Sequence, residues 1–295
     1  MPVLADRRSR KAAFVAGLLA LAAADGVVFP AAAQTMPDLV ARDAFRVCAD
    51  PANMPFSNRQ AEGFENKIAD IVADELKVPV RYFWLSQGPG FARNTLQTGL
   101  CDVIIGYAAG ADPVQHTNPY YSSVYVLVVK ADGPLADVTR LDDPRLKGHR
   151  LGVVAATPPV DHLMEQGLIK DAKSYALLVE RRFQSPGEDM IADLASGEID
   201  GALLWGPIGG YFAKKAGVPL KVIPLVEETG RPPLSFRITF GIRPEEDDWK
   251  HKLNGVIAKR QADFNRVLAS YGVPLLDFRG KLISVATPAE SGKAQ

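Results

Sequence analysis

The chain has 295 residues, of which 47% are hydrophobic, so it is long enough to bury the core of one large domain or of two smaller lobes. Its 34 lysine and arginine residues balance 34 aspartate and glutamate residues. This balance argues against nucleic acid or an anionic membrane surface as a partner.

The first 33 residues have the pattern of a secretory signal peptide. Four basic residues between positions 7 and 11 precede an apolar run from 12 to 24, and three alanines at 31–33 precede Gln34. The apolar run is too short to cross a bilayer. We therefore predict cleavage near residue 33 and release into the periplasm, with no membrane insertion afterwards. A retained N-terminal anchor is the alternative.

Export changes how the two cysteines, Cys48 and Cys101, are interpreted. An oxidising compartment favours a disulfide between them. Cys48 lies in the predicted strand Phe45–Ala49, and Cys101 directly precedes another predicted strand, Asp102–Gly106. Those strands could be neighbours in one sheet, so we expect one bridge. The alternative is two buried thiols.

An internal repeat is the most informative pattern in the chain. Residues 96–105 read LQTGLCDVII, and residues 194–203 read LASGEIDGAL, with the leucine, the glycine and the aspartate at identical offsets. Glycine is a natural C-cap of a helix, and a short apolar strand after it suits a parallel sheet that is covered on both faces. The repeat therefore predicts a helix, a tight turn and a strand in each half of the chain.

Strands and helices alternate before each copy of the repeat, which predicts an α/β fold with two lobes, each a sheet flanked by helices. The strand Phe45–Ala49 opens the first half and His149–Ala155 opens the second. Apolar residues at helical spacing favour helices in both halves. The predicted helices are Glu65–Leu76, Gly90–Thr98, Val160–Gln166 and Glu188–Ser196.

The C-terminal part returns to the first lobe. A strand at Ile238–Ile242 precedes a long amphipathic helix that starts near Trp249 and stops at Gly272 and Pro274. We therefore expect a discontinuous lobe one, residues 34–128 plus 238–295, and a lobe two of residues 129–237.

The motifs in this order carry a family resemblance. RVCAD at 46–50, GFEN at 63–66, TGLCDVIIG at 98–106 and TNPYYSS at 117–123 resemble the type II periplasmic solute-binding proteins. More narrowly, CADPANMPFSN at 48–58 is similar to the MxaJ and XoxJ proteins, which accompany PQQ-dependent methanol dehydrogenases. The DPxNxPFSN form resembles the XoxJ branch, whose partner enzymes are lanthanide-dependent. The resemblance implies a partner of the PQQ methanol dehydrogenase class.

In the fold that this resemblance implies, a ligand or partner cleft lies between the lobes, at loops that follow the strand ends. Aromatic and polar residues occur at those loops. The residues expected to line the cleft are Phe56, Asn58, Phe91, Tyr107, Thr157, Trp205 and Tyr211.

The usual amino-acid anchors of the family are missing from this sequence. The stretch 106–112 contains no arginine to grip a carboxylate, and Trp205 stands where an acid would bind the ammonium group. Pro158 and Pro159 remove two backbone N–H donors from a helix start. The remaining aromatic cleft suits a small apolar ligand or a side chain of a protein partner.

No pattern of an enzyme, a resident cofactor or a metal site occurs. The four histidines have no zinc spacing, and no phosphate-binding or nucleophile motif is present. Asp50 and Glu65 are the only acids expected near the lobe-one side of the cleft. We predict an accessory protein of a methanol dehydrogenase system. The alternatives are a substrate-binding protein of an ABC-type transporter for an apolar or aromatic solute and, less favoured, an enzyme such as a dehydratase.

Overall fold

The structure, a computed structural model, describes residues 39–285. The predicted signal peptide lies outside the described residues. Within residues 39–285, none of the helices is both long enough and apolar enough to cross a membrane.

Twelve strands and six α-helices make up the described chain. The strands are β1 (Phe45–Ala49), β2 (Ala52–Asn53), β3 (Ser57–Asn58), β4 (Val80–Trp84), β5 (Val103–Ala108), β6 (Gln115–His116), β7 (Tyr121–Lys130), β8 (Leu151–Val154), β9 (Lys173–Tyr175), β10 (Gly201–Trp205), β11 (Leu220–Pro224) and β12 (Ser235–Ile242). The helices are α1 (Phe64–Leu76), α2 (Phe91–Asn94), α3 (Pro158–Glu165), α4 (Pro186–Ser196), α5 (Gly206–Lys215) and α6 (Asp247–Ser270).

The strands form two sets that have the same arrangement of parallel and antiparallel pairs, one set in each lobe. The order is β4-β1-β5-β12-β7-β10-β8-β9. In each lobe two parallel pairs, β4-β1-β5 and β9-β8-β10, are followed by one antiparallel partner. The central pair β12-β7 joins the lobes, and the predicted α/β class with two lobes is confirmed.

The two copies of the sequence repeat make the same hydrogen bond at the same place. The N–H of Asp102 donates to the carbonyl of Arg46 at 2.9 Å, and the N–H of Asp200 donates to the carbonyl of Arg150 at 2.8 Å. Each aspartate therefore fixes the first strand of its lobe to the strand that follows the repeat.

The lobe-one copy of this arrangement is buried and carries more charge. The Asp102 carboxylate accepts from Arg46 Nε at 2.7 Å and from Arg243 Nη2 at 2.7 Å, and it is fully buried. The Asp200 carboxylate is 44% exposed and accepts from the N–H of Arg150. The same motif is thus a buried ionic centre in lobe one and a surface contact in lobe two.

Helices cover both lobes. In lobe one, α1 and α6 pack on the sheet through a core that includes Phe64, Phe240 and Phe264. In lobe two, α4 covers one face through Met190 and Leu194 together with α5 through Phe212, while α3 and the segment around Leu135 cover the other. The cores contain the apolar faces that the sequence periodicity indicates.

The strand β7 changes partners where the chain crosses between lobes. Residues up to Val124 pair with β12, and residues from Tyr125 onward pair with β10 and β11. β12 returns the chain from Ser235. The lobe bounds given from the sequence, 34–128 plus 238–295 and 129–237, stay a prediction.

The second predicted helix is much shorter than expected. The prediction covered Gly90–Thr98, whereas α2 ends at Asn94. The Thr95 hydroxyl donates to the carbonyl of Phe91 at 2.7 Å, and this local bond competes with helix propagation. Gly99, at a φ of 76°, then turns the chain toward β5, as the repeat predicts.

Candidate functional site

A narrow cavity lies between the lobes. One wall is the loop after β1, residues Ala52–Met54, and the other is formed by α5 with residues 176–185, which we call the mouth loop. The cavity has a volume of about 100 Å³, and Leu204 and Phe212 form part of its apolar side. The lobes therefore stand close together around a small, mostly apolar space.

One side chain of the mouth loop, Arg181, contacts lobe one. Arg181 Nη1 donates to Asp50 Oδ2 at 3.3 Å and to the carbonyl of Gln87 at 2.9 Å. Asp50 also accepts from the N–H groups of Ala52 at 2.9 Å and Gln87 at 2.7 Å. The fully buried Asp50 carboxylate is thus satisfied by its own loops and by a cation from the other lobe.

The outer face of the mouth loop is apolar and exposed. Leu178 is 66% exposed and Phe183 is 80% exposed, while Val179 and Arg181 face the cavity. The Arg182 guanidinium lies 5.5 Å from the centroid of the Phe183 ring and pairs with Glu180 at 2.9 Å. The loop therefore presents hydrophobic side chains to solvent beside the entrance of the cavity.

A second pocket lies on the lobe-one wall and contains two of the predicted residues. Phe91 and Tyr107 line this pocket, which has a volume of about 510 Å³. The Tyr107 hydroxyl donates to the carbonyl of Asp112 at 2.9 Å. Phe91 packs with Cys48 and Cys101, whose predicted disulfide is confirmed with a Cα–Cα distance of 5.5 Å. The disulfide therefore packs behind Phe91 on the aromatic side of this pocket.

Glu65 is a buried acid in the first turn of α1. Its side chain lies against Gly106, and a Cβ at that position would overlap with Glu65 Oε1. Burial, followed by the negative charge of Asp50, raises the pKa of Glu65 well above its usual range. A glycine at position 106 is what leaves room for this carboxyl.

Trp205 lies at the crossing between the lobes. Its ring centroid is 5.3 Å from that of Tyr125 and 5.8 Å from that of Phe236. These three aromatic residues come from β10, β7 and β12, so they pack where the chain passes from lobe one to lobe two. This hinge cluster is separate from the pocket of Phe91 and Tyr107.

The other predicted residues are spread over four places. Phe56 packs on Phe64 with ring centroids 5.2 Å apart, and Tyr211 stacks on Tyr271 at 5.8 Å. Asn58 Oδ1 accepts from the N–H of Glu62 at 2.8 Å and stabilises a turn before α1. Thr157 precedes α3 and donates its hydroxyl to the carbonyl of Val154 at 2.6 Å. The seven residues are thus not brought together around one cavity.

The start of α3 has the prolines that the sequence places there. Pro158 and Pro159 occupy the first helical positions after Thr157. Neither has an N–H group, so two of the donors that a helix start normally offers to an anion are missing. This end of lobe two is a poor partner for a carboxylate.

The two histidines closest to the cleft loops have structural partners. His116 Nδ1 lies 2.9 Å from Thr239 Oγ1, and its Nε2 lies 3.0 Å from the carbonyl of Ala111. His162 Nε2 lies 2.8 Å from the carbonyl of Pro232. Within residues 39–285, no three His, Cys, Asp or Glu side chains form a group that could hold a metal ion.

Sequence reasoning missed Arg181, Val179 and Gln87. They lie in irregular segments after β4 and β9, where no periodic pattern marks a site. One signal was available: residues 176–183 read ALLVERRF, an apolar run directly followed by charges. A short apolar run in an otherwise irregular segment indicates that part of the segment packs on the protein, but it does not identify which side chains face the cavity.

Comparison with known proteins gives a consistent family. The sequence profile of the bacterial extracellular solute-binding proteins, family 3, matches residues 45–272. Protein MoxJ of Methylorubrum extorquens is 29% identical over an alignment of 299 positions that covers 94% of this chain and 99% of that protein. The crystal structure of periplasmic binding protein XoxJ from Methylobacterium extorquens AM1 is 51% identical, with a TM-score of 0.68 over 79% of this chain and 99% of that chain.

A second solved structure, MxaJ from Methlophaga aminisulfidivorans MPT, is 26% identical, with a TM-score of 0.69 over 79% of this chain and 100% of that chain. The chain therefore belongs to the family 3 bacterial extracellular solute-binding proteins. Within that family it is of the MxaJ and XoxJ kind, and its identity to XoxJ is about twice its identity to MxaJ. The resemblance given by its motifs is confirmed.

Proposed function

We propose that this protein is a periplasmic accessory component of a PQQ-dependent methanol dehydrogenase system, of the lanthanide-dependent type. In this proposal it has no enzymatic activity of its own. It binds the dehydrogenase through its cleft or an adjoining lobe face and aids maturation or activation of that enzyme.

The family relation supports this proposal. The likeness to XoxJ covers almost the whole of that structure at 51% identity. The sequence motif at 48–58 that is similar to XoxJ extends from the end of β1 through β3, and its residues Ala52–Met54 form one wall of the cavity beside the mouth loop. The shared motif therefore lies at the site through which the proposed function would operate.

The observation that carries the proposal is the bridge that the chain's own Arg181 makes across the cleft. Sites for small solutes usually enclose about 300–1,000 Å³. The cavity beside the mouth loop has about 100 Å³, and the chain's own Arg181 reaches across it to Asp50. A second cavity, between Met54 and Glu62 of lobe one and the helices α4 and α5 of lobe two, has about 420 Å³, so size alone does not exclude a solute. A cleft that is closed by its own side chain, and that lacks the usual anchors for an amino acid, is better suited to a protein partner than to free solute.

The mouth loop offers a surface for that partner. Leu178 and Phe183 are both exposed in this loop. The charged side chains of the loop already have partners, since Arg182 pairs with Glu180 and Arg181 pairs with Asp50 of lobe one. Several exposed apolar side chains in one short segment, here Leu177, Leu178 and Phe183, favour a surface that becomes buried in a complex, whereas a single exposed side chain such as Phe278 is ordinary.

The test is co-purification of the dehydrogenase from periplasm with a tagged form of this protein. The double variant Leu178→Ser and Phe183→Ser should lose at least tenfold of the bound enzyme. Phe278→Ser is the matched control, because Phe278 is also an exposed aromatic, at 90%, but lies in the C-terminal hairpin. Equal recovery with all three proteins would contradict the mouth loop as the contact, and no recovery with the unmodified protein would contradict the function.

A receptor for a small apolar or aromatic solute, delivered to an ABC-type transporter, is the second candidate. The pocket of about 510 Å³ lined by Phe91 and Tyr107 favours it, since this volume is within the usual range for small ligands. Native mass spectrometry of protein purified without denaturation should then show a bound metabolite. A metabolite-free spectrum, with no thermal shift across a library of aromatic solutes, would exclude this candidate.

Glu65 is one candidate for an enzymatic role, because burial raises its pKa. Glu65 is buried against Gly106 and has Asp50 as its acidic neighbour. A general acid must come within hydrogen-bonding reach of a substrate, and this carboxyl is instead packed into the wall of lobe one. We therefore propose a structural role for Glu65.

A further inference from the structure

The contact of Arg181 with lobe one joins two segments that are far apart in the chain. Arg181 belongs to the mouth loop, which follows β9 in lobe two, whereas Asp50 follows β1 and Gln87 follows β4 in lobe one. Both hydrogen bonds use the same guanidinium nitrogen, at 3.3 Å to the carboxylate and 2.9 Å to the carbonyl. The contact therefore ties the edge of lobe two to the carboxyl ends of two strands of lobe one.

Burial makes this contact more than a surface ion pair. The Asp50 side chain is fully buried and that of Arg181 is 26% exposed. Charge-assisted hydrogen bonds are stronger than neutral ones, and water screens them less when they are partly buried. Separation of the lobes would remove Arg181 from Asp50 and leave only the N–H donors of Ala52 and Gln87 on that carboxylate.

The rest of the mouth loop has the form of a strap. Leu177, Val179 and Arg181 line the cavity at alternate positions. Glu180 lies between two of these residues and Arg182 follows the last of them, and the two form an ion pair with each other on the face of the loop that points away from the cavity. Because Arg182 is already paired within the loop, Arg181 is the loop's cation that crosses to lobe one.

We propose that residues 176–185 are a strap that closes the cleft without a solute, with Arg181 as its latch on Asp50 and Gln87. In solute-operated proteins of this architecture a ligand bridges the lobes. Here a side chain of the protein itself makes that bridge. A molecule that enters the cavity between Ala52–Met54 and the mouth loop must first displace Arg181, so the latch sets the threshold for opening this part of the cleft.

The test measures the distance between the lobes in the purified protein, so it does not depend on the proposed partner. Spin labels are placed at Lys67→Cys on α1 and Ser196→Cys at the end of α4, both exposed positions in different lobes. The native cysteines are both in the disulfide and do not react. Pulsed electron spin resonance then reports the distribution of distances.

Arg181→Gln should add a population at longer distance that the parent protein lacks, together with a larger radius of gyration in small-angle scattering. Arg182→Gln is the matched control and should leave both unchanged, because its ion pair lies within the loop. Identical distance distributions for the parent and Arg181→Gln would overturn the latch. Circular dichroism verifies folding. If Arg181→Gln does not fold, Arg181→Met, which keeps an unbranched apolar side chain but removes the charge and the donors, takes its place with the same two outcomes.

Discussion

Replacement of both Cys48 and Cys101 by alanine opens a loop that the disulfide closes over a sequence separation of 53 residues. The chain-entropy relation for a cross-link of this length gives a loss of about 4 kcal/mol in the free energy of unfolding at 25 °C. For a protein of this size a change of about 4 kcal/mol lowers the Tm by about 10 °C. The effect should reach the site as well, since both cysteines pack with Phe91 below the lobe-one pocket.

The assay is urea unfolding of the parent and the double variant, each with and without reductant. Reduction should lower the stability of the parent by about 4 kcal/mol and leave the double variant unchanged. The reduced parent is the control for packing, because it keeps the sulfur atoms that the variant loses. Unfolding free energies within about 1 kcal/mol for oxidised and reduced parent would refute the view that the bridge constrains the unfolded chain.

Three further predictions test the buried structure. Asp102→Asn should cost about 3–5 kcal/mol in chemical denaturation, because it removes the buried carboxylate charge that Arg46 and Arg243 share. Asp200→Asn should cost less than about 1 kcal/mol, and equal losses would contradict the difference between the two copies of the repeat. Burial raises the pKa of Glu65 above 4.5, so the folded protein loses stability as the pH rises above 4.5 and this carboxyl must ionise. Glu65→Gln should therefore gain free energy of unfolding relative to the parent from pH 4.5 upward, and a difference in free energy that does not change with pH would refute this. Gly210→Ala should destabilise the protein by about 1–3 kcal/mol, because the added Cβ would overlap with the carbonyl of Gly272. Gly255→Ala should stabilise it by about 0.5–1 kcal/mol, because the space around this position of α6 is open. A higher Tm for Gly210→Ala than for Gly255→Ala would contradict the packing of α5.

The elements with strong periodicity were predicted from the sequence. The strand at Phe45–Ala49 has the bounds that were predicted, and α1 differs from its prediction by one residue. The predicted strand Ile238–Ile242 is the second half of β12. The repeat located two glycines with positive φ values, Gly99 and Gly197. Gly197 caps α4 as predicted, whereas Gly99 ends a series of turns that follows the short helix α2. These features were accessible because each depends on local chemistry.

The helix α5 was not predicted, and its composition explains why. It begins with Gly206 and Pro207 and contains Gly209 and Gly210, which are poor helix formers. In the structure the small residues allow close approach: a Cβ at position 209 would meet Val126, and one at position 210 would overlap with Gly272. Tertiary packing, which the sequence pattern does not display, therefore overrides the low propensity.

The site was harder to predict than the fold. The seven candidate residues were chosen by their position after strand ends, and only Phe91 and Tyr107 share a pocket. The Arg181 contact depends on an irregular loop that folds back across the cleft, and no spacing rule connects position 181 to position 50. Long-range contacts between loops of different lobes follow from the three-dimensional arrangement alone.

The most direct measurement is the affinity of the purified protein for a purified PQQ-dependent methanol dehydrogenase from the same organism, determined by surface plasmon resonance. The proposed function predicts saturable binding that the Leu178→Ser and Phe183→Ser double variant weakens at least tenfold and that Phe278→Ser leaves unchanged. Absence of binding by the unmodified protein, together with a metabolite held in its native mass spectrum, would contradict the accessory role and support a solute receptor.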